Sequence, residues 1–205
     1  MLAKNANLLN AKYIFCYLGL AVKVIDHKIS EARWLASPNF NERPSGAPIN
    51  MLVVHNISLP PKQFDNSYIE DFFCNRLDCS AHPYFEEIKD LQVSAHVLIK
   101  RSGEMVQFVP FNQRAWHAGV SEFSGETNCN DFSIGVELEG TDDIPYTEQQ
   151  YYALSQLTLC LCEQYPHLTQ ERIVGHCNIA PQRKTDPGPS FDWSYFKQLL
   201  KKLPS

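Results

Sequence analysis

The sequence predicts an α/β fold: a single domain with a mixed central β-sheet flanked by helices. Three observations carry that prediction. The chain has 205 residues, 44% of them apolar, which suits one domain with a sizeable core. Short apolar runs rich in β-branched residues are interspersed with stretches of helical periodicity, the pattern of a sheet covered by helices. One pair of runs is joined by a tight glycine-containing turn, and this hairpin makes the sheet mixed rather than purely parallel.

The elements follow in chain order. The apolar run Tyr13–Val22 is ten residues long, short of the roughly 18–20 that a membrane helix needs. Lys23-Val24-Ile25-Asp26-His27-Lys28 follows it without a small-residue cleavage pattern. The expectation is a packed or partly ordered extension with no stable membrane insertion; a membrane-contacting tail and a failed signal sequence are the other readings. Residues 37–48, rich in Ser, Pro, Asn and Gly, read as an extended loop. Met51–Ile57 is a buried strand, ended by Leu59-Pro60-Pro61. Apolar residues at 64, 68, 69, 72 and 73 predict a helix over 64–77, and Tyr84–Ile88 a further helical turn. Val93–Ile99 and Met105–Val109 form the hairpin around Arg101-Ser102-Gly103-Glu104.

Phe132–Glu139 alternates, with Ile134, Val136 and Leu138 on one side and Gly135, Glu137 and Glu139 on the other. Thr147 and Gln150 make a capping box ahead of Tyr151, Leu154, Leu157, Leu161 and Tyr165, predicting a helix over 148–165 that packs on the sheet. Asp192 caps a last helix with Trp193, Phe196, Leu199 and Leu203 on one face.

Composition narrows function. The net charge of −5, with cations scattered along the chain, gives no basic stripe for nucleic acid, so the expected partner is a small molecule. Seven cysteines, an odd number without a CxxC pair, favour a reducing compartment. With the absent signal pattern, this predicts a cytoplasmic protein.

The densest polar stretch runs from His176 to Trp193. Prolines at 181, 187 and 189 stiffen it around Asp186, ten positions after His176. Imidazole and carboxylate both suit Zn²⁺. A third ligand must come from elsewhere, and His55, within another β-rich apolar run, is the best candidate. Taken singly, each histidine also reads as a hydrogen-bonded core or surface residue. Cys177 beside His176 points away from it at a strand end and reads as a bystander.

Five segments in order, LVVHNISLPP (52–61), SAHVLIKRSGEMVQFVPF (94–111), RAWHAG (114–119), CNDFSIGVELEGTD (129–142) and GHCNIAPQRKTDPGPSFDW (175–193), resemble the motifs of AmpD-type N-acetylmuramoyl-L-alanine amidases. These are zinc enzymes of peptidoglycan recycling, related to peptidoglycan recognition proteins. The resemblance begins near residue 33 and divides the chain into an N-terminal extension of unknown role, 1–32, and a zinc amidase domain, 33–205. It implies one Zn²⁺ held by His55, His176 and Asp186, with a fourth position open for water, the mark of a catalytic site.

Amide hydrolysis also needs a proton acceptor and an oxyanion stabiliser. Glu137, in the middle of an apolar strand, is the candidate base, because burial would raise its pKa towards a useful range. A solvent-facing carboxylate is the alternative reading. The resemblance implies the same role for it, with proton delivery to the leaving amine. Glu139, nearer the strand end, reads as solvated. Lys184 would donate to the oxyanion and Arg183 would read a substrate carboxylate, unless either is an ordinary surface cation.

One departure favours Glu137. Many relatives carry a catalytic tyrosine where this chain has Ala95. His96, on the neighbouring strand, is a candidate for lining the site or supporting it. Asn56 and Trp116-His117 occupy the family's pocket positions, Trp116 either stacking on a sugar or packing in the core. The implied substrate is 1,6-anhydro-N-acetylmuramoyl peptide, cut before L-alanine, and the expected state is a monomer. An envelope amidase acting on polymeric peptidoglycan and a non-catalytic muropeptide-binding module are the competing functions.

Overall fold

Four apolar residues in a row, Met51-Leu52-Val53-Val54, make Met51–Ile57 (β5) the natural centre of a sheet, because only a strand covered on both faces buries such a run. In the computed structural model, which describes residues 22–203, β5 lies between Ser133–Glu139 (β11) and Ile173–Gly175 (β12), parallel to both. The sheet has six strands in the order β12-β5-β11-β6-β7-β3, where β3 is Arg33–Trp34, β6 is Val97–Ile99 and β7 is Met105–Gln107. Only β6 and β7 pair antiparallel within it. The mixed sheet with flanking helices is therefore present.

Alternation along β5 and β11 separates two faces. Leu52, Val54, Ile134, Val136 and Leu138 share a core with the helices α3 (Glu148–Gln164) and α5 (Trp193–Lys202). The capping box is formed: Thr147 Oγ1 accepts from the Gln150 N–H at 3.1 Å, and Gln150 Oε1 accepts from the Thr147 N–H at 3.2 Å. Asp192 caps α5 by accepting from the Tyr195 N–H at 2.8 Å. The buried face of α5 centres on Phe196 and Leu200 rather than Leu203. The opposite face of the sheet carries a second core beneath α1 (Tyr68–Phe73) and α2 (Pro83–Ile88), and a third around Met51, Val53, Ala118 and Ile179.

Several boundaries differ from expectation. The helix expected over 64–77 is only Tyr68–Phe73. Asp65 and Asn75 hold positive φ, 58° and 55°, which a helix excludes, and the preceding loop is tied down when the Asp65 N–H donates to Glu139. Residues 93–96 fall outside β6: the Ser94 N–H donates to the Trp116 carbonyl and its hydroxyl to the Asn39 carbonyl, while the His96 N–H still donates to Gly135 on β11. Within the expected loop at 37–48, Phe40–Glu42 (β4) pairs with Gln113–Ala115 (β8). Glu122–Phe123 (β9) and Glu126–Thr127 (β10) form a separate hairpin. Residues 22–32 pack on the body of the domain: the hairpin Val24–Ile25 (β1) and Lys28–Ile29 (β2) buries Ile29, whose N–H donates to Gln107 Oε1 at 2.7 Å. The apolar run at 13–22 lies, apart from Val22, outside the described residues. None of the six described cysteines is in a disulfide. No helix among the described residues is long and apolar enough to cross a membrane.

Candidate metal centre and active site

Parallel register assembles the site. His55 on β5 stands opposite Glu137 on β11, so both side chains leave the sheet on one face. Gly175 on β12 pairs with Val54, which places the next residue, His176, beside His55. His176 opens a single helical turn, His176–Ile179 (α4), rather than ending the strand. The loop after α4 returns, and the Cys177 N–H donates to the Asp186 carbonyl at 3.0 Å, bringing the Asp186 side chain under both rings.

The three candidate ligands converge. His55 Nδ1 and His176 Nδ1 are 3.0 Å apart, and each is 3.0 Å from Asp186 Oδ2. Two imidazole nitrogens and a carboxylate oxygen form a donor set that suits Zn²⁺; donors about 2.0–2.2 Å from a tetrahedral ion stand about 3.3–3.6 Å apart, a few tenths of an ångström wider than this triangle. The rings are 1% and 3% exposed and the aspartate 13%, so solvent does not satisfy these atoms. Burial drives the His55 pKa down to about 4, leaving it neutral as a ligand must be. Burial works against ionisation of Asp186, but before an ion binds, hydrogen bonds from Nδ1–H of His176 and His55 outweigh it and hold the carboxyl well below the usual range; a bound cation would take the place of those protons. Cys177 stands outside the cluster of candidate metal donors.

Glu137 is 9% exposed, and its Oε2 is buried without a hydrogen-bond partner among the described residues. Burial raises its pKa well above the ordinary value, the Asp186 charge raises it further, and Lys184 opposes both. Glu139, by contrast, is fully buried and not solvated as its position suggested: Oε1 and Oε2 accept from the Asp65 and Arg101 N–H groups at 2.9 and 3.0 Å. Lys184 lines the same groove as the three ligands and Glu137.

The other sequence candidates divide. Asn56 lines the groove, with its amide donating to Asp142 Oδ1 at 2.8 Å. His96 has no exposed surface and lies off the groove lining: its Nδ1 accepts from the Gly135 N–H at 3.0 Å, leaving Nε2–H to donate to the Gln113 carbonyl at 3.1 Å. Arg183 is turned onto the backbone, donating to the Ala118 and Val120 carbonyls at 2.6 and 2.8 Å, which pins the 118–120 loop against the metal site. Trp116 lies off the groove lining, its indole N–H donating to Asn41 Oδ1 at 2.7 Å.

The resemblance put His117 with Trp116 at the family's pocket positions without giving it a role; in the structure its Nδ1 lies 2.9 Å from His55 Nε2. From the metal centre a groove of about 370 Å³ runs between an ionic end and an apolar wall that includes Leu59, Phe72, Tyr84 and Leu91. That arrangement suits a substrate with a polar scissile group and a bulkier body.

Comparison with known proteins gives the family. Residues 45–189 match the N-acetylmuramoyl-L-alanine amidase family model. The 1,6-anhydro-N-acetylmuramyl-L-alanine amidase AmpD of Haemophilus influenzae is 51% identical over 173 residues, covering 84% of this chain and 94% of that protein. The AmpD of Escherichia coli K12 is 53% identical over 171 residues, covering 83% and 93%. A crystal structure of a selenomethionine AmpD derivative superposes with a TM-score of 0.84 at 52% identity, covering 86% of this chain and 98% of that one. The amidase AmiD of E. coli, solved with anhydro-N-acetylmuramic acid-L-Ala-D-γ-Glu-L-Lys, superposes with a TM-score of 0.54 at 30% identity, covering 78% and 65%. With its sheet, its His-His-Asp cluster and these matches in agreement, the chain belongs to the N-acetylmuramoyl-L-alanine amidase family and is an amide hydrolase.

Proposed function

We propose that the protein is a zinc-dependent amidase that cuts 1,6-anhydro-N-acetylmuramoyl peptides between the lactyl group and L-alanine, as a cytoplasmic monomer in peptidoglycan recycling. The observation that carries this is the mutual 3.0 Å approach of His55, His176 and Asp186 beside the unpartnered carboxylate of Glu137. Identity to AmpD proteins over most of the chain supports the anhydro substrate.

Zinc, when bound, polarises a carbonyl and lowers the pKa of water from about 15.7 to about 7. His55, His176 and Asp186 would hold it. Glu137 takes a proton from the attacking water and returns it to the departing amide nitrogen; burial raises its pKa, which makes it a stronger proton acceptor than an exposed glutamate. Lys184 directs its ammonium at the oxygen that gains charge, where a donor of this kind contributes about 3–4 kcal/mol. Asn56, at the groove wall, orients the substrate next to His55.

The test is product analysis by mass spectrometry with anhydro-muropeptide, its reducing counterpart and intact sacculi, each with a chelator control. Chelator-sensitive release of peptide from the anhydro form alone is the expected result. Release from sacculi would assign the protein to the envelope, and no release from any substrate would make it a binding module.

A further inference from the structure

Both candidate histidine ligands present Nδ1 to the metal position, and a ring that holds the ion through Nδ1 carries its proton on Nε2. A buried N–H needs an acceptor, and that acceptor also fixes the ring's rotation. For His176 it is the Ala118 carbonyl at 3.0 Å. For His55 it is the next residue towards the N-terminus, His117, whose Nδ1 lies 2.9 Å away.

The direction of that second bond can be traced to its end. His117 Nε2 lies 3.1 Å from Ser133 Oγ, and Ser133 Oγ lies 2.5 Å from the Cys129 carbonyl. A carbonyl only accepts, so Ser133 donates to Cys129, His117 Nε2–H donates to Ser133, and His117 Nδ1 is left bare to accept from His55. The geometry around His117 is built to hold it. Asn130 Oδ1 accepts the backbone N–H groups of both His117 and Ala118, at 3.1 and 2.8 Å. The imidazole lies flat on Gly135, where a Cβ would come within 2.4 Å of its Cγ.

We propose that His117 is a positioning residue for the metal centre: backed by Ser133, it accepts the Nε2–H of His55 and fixes the ring that offers Nδ1 to the ion. With Ala118 it makes two consecutive residues the orienting element for both histidine ligands. The inference rests on the zinc reading above.

Zinc affinity, measured by chelator competition, tests it without reference to activity. His117→Phe fills the space and removes the acceptor, and should weaken zinc binding about 10–100-fold. His117→Asn puts an amide oxygen close to the Nδ1 position and should restore most of the affinity, with Ser133→Ala showing a smaller loss. On the unaltered zinc-loaded protein, ¹⁵N NMR should find His117 protonated at Nε2 and bare at Nδ1, a readout that survives any failure of the variants to fold. A proton on His117 Nδ1, or a folded His117→Phe protein with unchanged zinc affinity, would overturn the proposal. An unaltered protein that takes up no zinc would instead overturn the zinc reading itself.

Discussion

Glu137 and Glu139 are two residues apart on one strand, point to the same face and are both buried, yet they have opposite characters. Glu139 spends both oxygens on backbone N–H groups, while Glu137 keeps Oε2 unpartnered beside the metal ligands. Replacing Glu137 by Gln should leave zinc bound and lower kcat by about 10²–10⁴-fold, the usual range for a lost general base; steady-state kinetics with metal analysis checks it. Because burial raises its pKa, kcat/KM of the unaltered enzyme should fall on acidification at a pH above 4.5, the ordinary glutamate value. The stability effect has the same origin. A folded pKa above the unfolded one means that the native state holds the proton more tightly, so stability declines as pH rises between the two. Metal-free Glu137→Gln should therefore melt higher than the unaltered protein at neutral pH, the gap closing as pH falls to 4.5.

At the scale of elements, Glu139 joins β11 to two loops through the N–H groups of Asp65 and Arg101. Glu139→Ala orphans both donors, and each buried unsatisfied donor costs about 1–3 kcal/mol. Denaturant unfolding should show that loss, although Glu139 lies outside the reaction. The same clamp explains why the 64–77 pattern yields so short a helix: the periodicity is real, but Asp65 is held at positive φ by a strand distant in sequence. Long elements with their own caps, such as Glu148–Gln164, were legible because Thr147 and Gln150 act within one turn. Phe40–Glu42 was not, since its polar residues form a strand only against Gln113–Ala115.

Across the whole molecule, the candidate ligands at 55, 176 and 186 come together only in the folded chain, so the proposed zinc site would couple metal binding to folding. Chelation should lower the Tm of the unaltered protein, and readdition of zinc to 100 times its Kd should restore about 2.7 kcal/mol. Calorimetry of Asp186→Ala should show no zinc-dependent increment.

The sequence by itself determined the fold class, the main strands, the capped helices and the residue types of the site, because periodicity, capping and proline-bounded loops act over a few positions. It also carried the family, in five ordered motifs. Tertiary structure alone decided which polar residues face the metal and which support it. The parallel register of β5, β11 and β12 sets His55 beside His176 and Glu137. Arg183 was bound to backbone carbonyls and His96 buried by contacts that no local pattern encodes. His117 was named from the motifs, but its contact with His55 came only from the fold, where Gly135, 18 residues later in the chain, leaves room for its ring. A side chain's partners are set by packing across the sheet, and that information is spread over the whole chain rather than held in any one segment.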